Sequence, residues 1–170
     1  MSAKTYTVLN GAVAGAAAAS PISTGTALKT MLQIATNTTA QAIRVVEWWT
    51  EFDGSAAATP IKVELLGSAA AQTSLTAYVA ADISAVNDPN AGTSTIQLGT
   101  GLSGYNNAND PGVTPTSVRQ FSVQFVPPTS GVYIQYPLGR EPEVTFAKFL
   151  RHRTTAAAAV NCYVGVSWEE

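Results

Sequence analysis

The sequence predicts an all-β protein, an antiparallel two-sheet β-sandwich of the jelly-roll type with about eight strands and long loops rich in Ala, Gly and Asn. Three observations predict this fold. Apolar and polar residues alternate with a period of two along most of the chain, helical periodicity is scarce, and Gly and Pro punctuate short runs. The 170 residues suit one domain, so we expect a single domain spanning residues 1–170.

The first half of the chain contains four predicted strands. They are Thr5–Leu9, Leu28–Ile34, Arg44–Phe52 and Ile61–Leu65. In the second strand Lys29 and Gln33 are expected to face away from the core, which suits a half-buried antiparallel strand. Asp53 and Gly54 form a turn signal that closes the third strand. An Ala-rich connection reaches from the first strand to about Gly25.

The second half begins with a segment of weak periodicity and ends with clear alternation of apolar and polar residues. Residues 67–92 are predicted to form a long connection with a short helical turn, and residues 99–115 a long loop. Four further strands are expected, at Thr95–Leu98, Val118–Val126, Val132–Tyr136 and Val160–Trp168. A fifth contains Val144, Phe146, Lys148 and Leu150 on one face. In the strand from Val118, one face is expected to carry Arg119, Phe121, Val123 and Phe125.

Two adjacent tryptophans in the third strand pose a problem of burial. Successive side chains of a strand point to opposite faces, so Trp48 and Trp49 cannot both enter the core. Trp48, in phase with Val46 and Phe52, is expected to be buried. Trp49, in phase with Glu47 and Glu51, then lies on the other face. Either another subunit covers it or a loop of the same chain does, such as the loop around Tyr105.

The charge content excludes some classes of partner. Charged residues make up 12% of the chain, about half of the usual share of roughly 25%. The formal net charge is −2, which gives neither the basic surface of a nucleic-acid-binding protein nor a patch for anionic membranes. The tract from Ala12 to Ala19 is too short for a signal peptide core or a membrane span. We expect no nucleic-acid or membrane partner, and assembly in the cytoplasm.

Candidate groups for catalysis or metal binding are few. His152 is the one histidine, and between Arg151 and Arg153 it is expected to be a surface residue at a strand end. Cys162 is the one cysteine and is expected to be a small core residue. The run Gly99-Thr100-Gly101-Leu102-Ser103-Gly104 matches the fingerprint of dinucleotide-binding folds. The residues that follow it cannot begin a helix, which that fingerprint requires. We therefore expect no metal, no cofactor and no catalytic residue.

Two features leave alternatives open. Glu141 and Glu143 are the best carboxylate pair for a sandwich hydrolase, although their spacing does not favour one. Arg151 and Arg153 form a basic cluster that either binds an acidic partner surface or is a solvated strand end.

Two segments resemble small β-sandwich virion proteins of tailed bacteriophages. The first runs from Arg44 to Ser55 and includes the closing Phe52-Asp53-Gly54. The second is Pro137-Leu138-Gly139-Arg140-Glu141 with Val144 soon after. The Val-rich ending that stops at Trp168-Glu169-Glu170 is also similar, whereas residues 67–115 match nothing in that family.

The resemblance implies a structural role in the virion, as a capsid decoration or cement protein or a minor capsid protein, and no enzymatic activity. The implied location is the capsid surface. The implied partners are the major capsid protein and copies of the chain itself, as a trimer or another small homo-oligomer. On this hypothesis the interface residues are Trp49, Glu47, Glu51, Tyr105, Arg151 and Arg153. The alternative is a carbohydrate- or receptor-binding module of a head fibre or tail, which requires Trp49, Tyr105 and Tyr133 to converge.

Overall fold

The computed structural model describes residues 3–11, 20–39, 41–54, 59–106, 110 and 118–170. The predicted all-β sandwich is confirmed, since two antiparallel sheets pack face to face. The alanine tract 12–19 lies outside the described residues. So do residues 107–109 and 111–115 of the predicted long loop.

Among the described residues, eight strands of five residues or more carry the fold, and five strands of two residues extend the sheets. In chain order they are β1 (Thr5–Leu9), β2 (Ile22–Ser23), β3 (Lys29–Ala35), β4 (Ile43–Phe52), β5 (Ile61–Ser68), β6 (Thr76–Ala77), β7 (Ser84–Ala85), β8 (Gly104–Tyr105), β9 (Val118–Val126), β10 (Gly131–Gln135), β11 (Glu143–Val144), β12 (Phe149–Thr155) and β13 (Asn161–Glu169).

The long strands pair as a hairpin folded over on itself. β1 pairs with β13, β3 with β12, β4 with β10 and β5 with β9, all antiparallel. The first sheet has the order β10-β4-β13-β1-β7, with β11 also paired to β4 and β2 to β13. The second sheet has the order β6-β8-β3-β12-β5-β9. Pairing the first long strand with the last, the second with the seventh, and so on inward gives the jelly-roll topology that the sequence predicts.

The core lies between the two sheets and contains the two large indoles of Trp48 and Trp168, both fully buried. Trp48 therefore enters the core as predicted. Cys162 is buried there as well, also as predicted. Burial raises the pKa of the Cys162 thiol, so the group behaves as a small apolar side chain.

Three β-bulges change which residues face the core. The strand registers shift so that Val46 of β4, Met31 of β3 and Phe121 of β9 are extra residues relative to their partners. The prediction of one continuous face in β9 is therefore wrong. Phe121 packs on Gly67 beside the core, whereas Val123 and Phe125 are exposed on the outer side. A bulge reverses the alternation beyond it, which strict period-two reading does not anticipate.

The predicted strand from Val144 to Leu150 is interrupted. β11 ends at Val144, a turn follows, and β12 begins at Phe149. Ala147 in that turn has a φ of 55°, a left-handed conformation that a strand cannot contain. Val144 and Leu150 are buried, but Phe146 between them is 53% exposed.

The connections are partly as predicted. A short 3-10 turn at Ala80–Asp82 confirms the helical turn expected within residues 67–92. The strand expected at Thr95–Leu98 is wrong, because only isolated bridges from Gln97 and Leu98 form there.

β3 is buried along its whole length, so the expected solvent-facing positions of Lys29 and Gln33 are wrong. Loops lie over the outer side of this strand. The Gln33 amide donates to the carbonyls of Gln72 and Leu102, at 3.3 and 2.6 Å. The Lys29 ammonium donates to the Ser23 carbonyl at 2.6 Å, and burial lowers its pKa.

His152 lies in the core, not at the surface as predicted. It is fully buried on β12, and its Nε2 lies 2.6 Å from Oγ1 of Thr50 in the opposite sheet. Its ring meets Trp48 edge-on, with ring centroids 5.6 Å apart. Burial lowers the pKa of His152 from 6.5 to about 3. No substrate can reach the imidazole there, so it is a structural group.

The buried histidine predicts a loss of stability in acid. Because the unfolded chain binds a proton at a pKa near 6.5 and the folded chain only near 3, the free energy of unfolding falls as the pH drops through this window. Relative to His152→Gln, we expect the wild type to lose about 2 kcal/mol between pH 7 and pH 5. Urea denaturation at each pH measures this difference.

The comparison between the two proteins cancels the titration of the carboxylates that they share. His152 is the one histidine of the chain, so no other imidazole contributes to the slope. Parallel stability curves for the two proteins would contradict a neutral, buried His152.

Candidate functional site

Trp49 lies on the outer side of the first sheet, as the sequence predicts. The bulge at Val46 separates two buried residues, Val45 and Trp48, that plain alternation would place on opposite faces. As a result Trp48 points inward, and Glu47 and Trp49 lie on the side away from the core. The indole of Trp49 is half-buried.

A glycine of the neighbouring strand seats the Trp49 ring. Gly165 of β13 is the cross-strand partner of Trp49. A Cβ built on Gly165 would overlap with ring atoms of the indole, so the ring occupies the space of the missing side chain. The strand therefore accepts a flat aromatic ring lying across its backbone. The sequence left open what covers Trp49. In the structure β13 covers the indole, and the loop around Tyr105 does not.

Tyr133 extends the aromatic surface on the other side of Trp49. It is the cross-strand partner of Trp49 on β10 and is 59% exposed. Its hydroxyl donates to the Glu47 carboxylate, which raises the pKa of Tyr133. Glu47 also accepts a hydrogen bond of 2.9 Å from the Ser167 hydroxyl. These bonds hold the Tyr133 ring next to the indole, so the pair is ordered before any partner arrives.

The remaining neighbours add carboxylate and aromatic groups. Glu51 is exposed on β4, and Tyr163 lies opposite it on β13. A depression of about 420 Å³ is lined partly by Glu51, Ser130 and Tyr133. We call Glu47, Trp49, Glu51, Tyr133 and Tyr163, with Gly165 beneath the indole, the Trp49 face.

Tyr105 does not belong to the Trp49 face. It lies on β8 in the second sheet and packs against Tyr78, with ring centroids 5.2 Å apart. The hydroxyl of Tyr78 donates to the Leu9 carbonyl at 2.5 Å. Tyr105 is therefore half-buried within its own chain, and the expected convergence of Trp49, Tyr105 and Tyr133 is limited to Trp49 and Tyr133.

Arg151 is buried, which differs from both expectations for the basic cluster. Its side chain and that of Asp110 are each 4% exposed, and Nη2 lies 2.6 Å from Oδ2 of Asp110. Thr30 joins the pair, accepting from Arg151 at 2.7 Å and donating to Asp110 at 3.0 Å. Burial lowers the pKa of Arg151, and the Asp110 charge opposes that shift. The Arg151 guanidinium is therefore paired within its own chain.

Arg153, two residues further along β12, is also paired with a carboxylate of its own chain. Nη2 of Arg153 and Nζ of Lys62 both lie 3.3 Å from Oε2 of Glu64. The Gln120 amide donates to Oε1 of Glu64 at 2.8 Å. With a residue exposure of 9%, Arg153 is not a surface cation, so neither arginine fits the interface predicted for it.

Candidate metal ligands do not cluster in the part of the chain that the structure describes. No group of three or more His, Cys, Asp and Glu residues there could hold a metal ion. Glu143 pairs with Arg44 at 3.6 Å on the surface. The glycine run 99–104 leads into β8 and not into a helix, so it lacks the phosphate-binding geometry of a dinucleotide fold. Within the described part of the chain, no helix is long and apolar enough to cross a membrane.

Of the predicted interface residues, the structure brings together Glu47, Trp49 and Glu51. The predicted interface set did not include Gly165, or Tyr133, which the sequence indicated only for the carbohydrate-binding alternative. A glycine inside a Val-rich strand signals the close approach of another group, and this signal could have identified the seat of the indole. Pairing with Tyr133 depends on the register of β10 with β4, which the sequence does not define.

Comparisons with protein-family models, with curated proteins and with solved structures give no match.

The seat of Trp49 predicts the effect of a small substitution. In Gly165→Ala the new methyl group collides with the indole, so the ring must lift into solvent. We expect a loss of roughly 1–3 kcal/mol in the free energy of unfolding. Acrylamide quenching of tryptophan fluorescence should increase, and the change reports on Trp49 because Trp48 and Trp168 are fully buried.

Gly92→Ala is the matched control, since the nearest atom to its new methyl group would be Nζ of Lys4 at 3.7 Å. That variant should keep the stability and quenching of the wild type. Unchanged quenching in Gly165→Ala would contradict the position of the ring.

The two classes of ion pair predict very different costs. Asp110→Ala leaves the Arg151 guanidinium buried without its counter-charge, and we expect a loss of about 3 kcal/mol in unfolding free energy. Arg44→Ala breaks a pair whose side chains are 61% and 45% exposed, and should cost less than about 1 kcal/mol. Denaturant titration of both variants checks the contrast, and equal costs would contradict the burial of Arg151.

Proposed function

We propose that the protein is a non-enzymatic structural virion protein of a tailed bacteriophage that binds the capsid surface as a decoration or cement protein. The observation that carries this proposal is the Trp49 face, where an indole lies flat on Gly165 beside an exposed tyrosine. The partners are the major capsid protein and further copies of the chain, and assembly takes place in the host cytoplasm.

The chemistry of the Trp49 face suits a protein partner. Trp and Tyr dominate the energetics of protein interfaces because they bury a large area with few rotatable bonds. Here the hydrogen bonds of Glu47 to Tyr133 and Ser167 already order the rings, which lowers the entropy that binding must overcome. The carboxylates at the border of the aromatic pair suit the polar rim of an interface.

The fold and the composition agree with a repeated subunit. Jelly rolls are common among viral capsid domains, although a fold alone does not determine a function. Charged residues are only 12% of the chain, so neighbouring copies meet little electrostatic repulsion. When many copies bind one shell, each contact can be modest and the assembly still stable.

A carbohydrate-binding role is the second candidate, favoured by one specific observation. Trp49 and Tyr133 are cross-strand neighbours, and a depression of about 420 Å³ is lined partly by Tyr133 and Glu51. Aromatic faces with a few convergent polar groups are typical of small-ligand sites. The Glu47 and Glu51 carboxylates would accept hydrogen bonds from hydroxyl groups and repel anionic sugars, so the ligand of this candidate is a neutral glycan.

Removal of the indole should weaken capsid binding. We expect Trp49→Ala to co-sediment with undecorated capsids of the parent phage at least tenfold more weakly than the wild type, because a buried interface tryptophan contributes roughly 2 kcal/mol or more. Phe125→Ala is the matched control, since Phe125 is an aromatic residue with 69% exposure on the second sheet. That variant should co-sediment like the wild type.

The outcomes separate the two candidates. Wild-type protein that fails to bind capsids and is absent from purified particles would overturn the structural proposal. If the same protein binds neutral glycans on an array and Trp49→Ala does not, the carbohydrate-binding candidate replaces it.

A further inference from the structure

We propose that the chain binds a second copy of itself by inserting Leu138 of one copy into a groove at the open edge of the other. This contact lies outside the Trp49 face, and it goes beyond the proposed function by naming both halves of a self-association site. The occupant is the turn Pro137-Leu138-Gly139-Arg140 together with Glu141.

The groove lies where the two sheets separate between β9 and β11. Its volume is about 370 Å³, and Gly67, Phe121 and Val144 are among the residues that line it. Gly67 is buried and Phe121 packs against it, since a Cβ on Gly67 would lie 3.1 Å from the Phe121 ring. The bulge in β9 turns Phe121 toward this space. The groove thus has an apolar floor with room for a branched aliphatic side chain.

The border of the groove is charged. Arg119 and Lys148 line it, and both are exposed. Arg119 lies over the Phe121 ring, 5.3 Å from the centroid, and donates to the Glu143 carbonyl at 3.1 Å. The Glu143 carboxylate supplies one negative charge to the same border. An apolar group flanked by both signs of charge therefore complements this groove.

Leu138 is the most exposed large apolar residue among those described, at 94%. It occupies the second position of a tight turn, in which the Arg140 amide donates to the Pro137 carbonyl at 2.9 Å. Gly139 has a φ of 80°, which is the conformation that a type II turn requires at its third position. The side chain is therefore held outward by a defined turn, and its exposure means that it does not fill the groove of its own subunit.

The charges beside Leu138 match the border of the groove. Arg140 and Glu141 follow the leucine directly, so the turn presents one charge of each sign. Glu141 of one copy can pair with Arg119 and Lys148 of the next, while Arg140 can approach Glu143, whose ion pair with Arg44 of its own chain is exposed. Each copy carries one such turn and one such groove, so the contacts form a reciprocal pair, a closed ring or an open chain of copies.

Cysteine crosslinking tests the contact in the full chain. Cys162 is buried, so introduced thiols react with little background. We expect Leu138→Cys and Ala69→Cys, mixed under mild oxidation, to form a mixed disulfide at least tenfold faster than Leu138→Cys mixed with Thr93→Cys. Ala69 lines the groove, whereas Thr93 lies at a different cavity with Tyr6 and Ala85.

Sedimentation velocity of variants without new thiols provides the second measurement. Leu138→Ser should weaken self-association by at least about tenfold, since the contact loses a buried leucine. Val86→Ser is the matched control, because Val86 is an exposed apolar residue at 57%. It should self-associate like the wild type.

Equal crosslinking rates for the two mixtures, a wild type that stays monomeric at millimolar concentration, or self-association that Leu138→Ser leaves unchanged would each overturn the inference. Failure of the proposed function is distinguishable, because it removes capsid co-sedimentation and leaves crosslinking between copies intact.

Discussion

The extra residue in β4 determines which of the two adjacent tryptophans, Trp48 or Trp49, faces the core. Without the bulge at Val46, the alternation that buries Ile43 and Val45 would also turn Glu47 and Trp49 toward the core. A carboxylate there would be very costly to bury. With the bulge, Trp48 reaches His152 and Trp49 reaches Gly165. The inserted residue thus decides which indole enters the core and which lies on the outer surface.

Polar groups hold the second sheet together on both of its sides. Toward the core, the Thr50 hydroxyl and the His152 ring meet across the sandwich. On the outer side, Arg151 pairs with Asp110 and Arg153 with Glu64. Such buried pairs contribute little net stability compared with apolar packing, but losing one partner is costly. The Arg151–Asp110 pair therefore holds Asp110 over the outer side of the second sheet, and the Arg153–Glu64 pair links β12 to β5. The first sheet carries the Trp49 face on its outer side.

Period-two alternation was sufficient to predict the two sheets, seven of the eight long strands and the burial of Trp48 and Cys162. It failed where local geometry changes the phase, as at Phe121 of β9 and at Ala147 after β11. The sequence indicates a solvated strand end at Arg151-His152-Arg153, because three basic groups in a row are rarely buried. Their partners come from distant parts of the chain, such as Thr50 and Asp110. For the site, the sequence places Trp49 outward, but the neighbouring Tyr133 depends on a register that only the folded sheet defines.

The nested pairing of the strands has a consequence for synthesis on the ribosome. β1 pairs with β13, so Thr5 lies opposite Glu169 in the middle of the first sheet. β4 likewise lacks its central neighbour until β13 has been translated. Contacts between positions this far apart make folding slow, and until the last strand emerges from the exit tunnel the nascent chain carries apolar strands with open edges. The risk of aggregation at these open edges is therefore imposed by the nested topology itself.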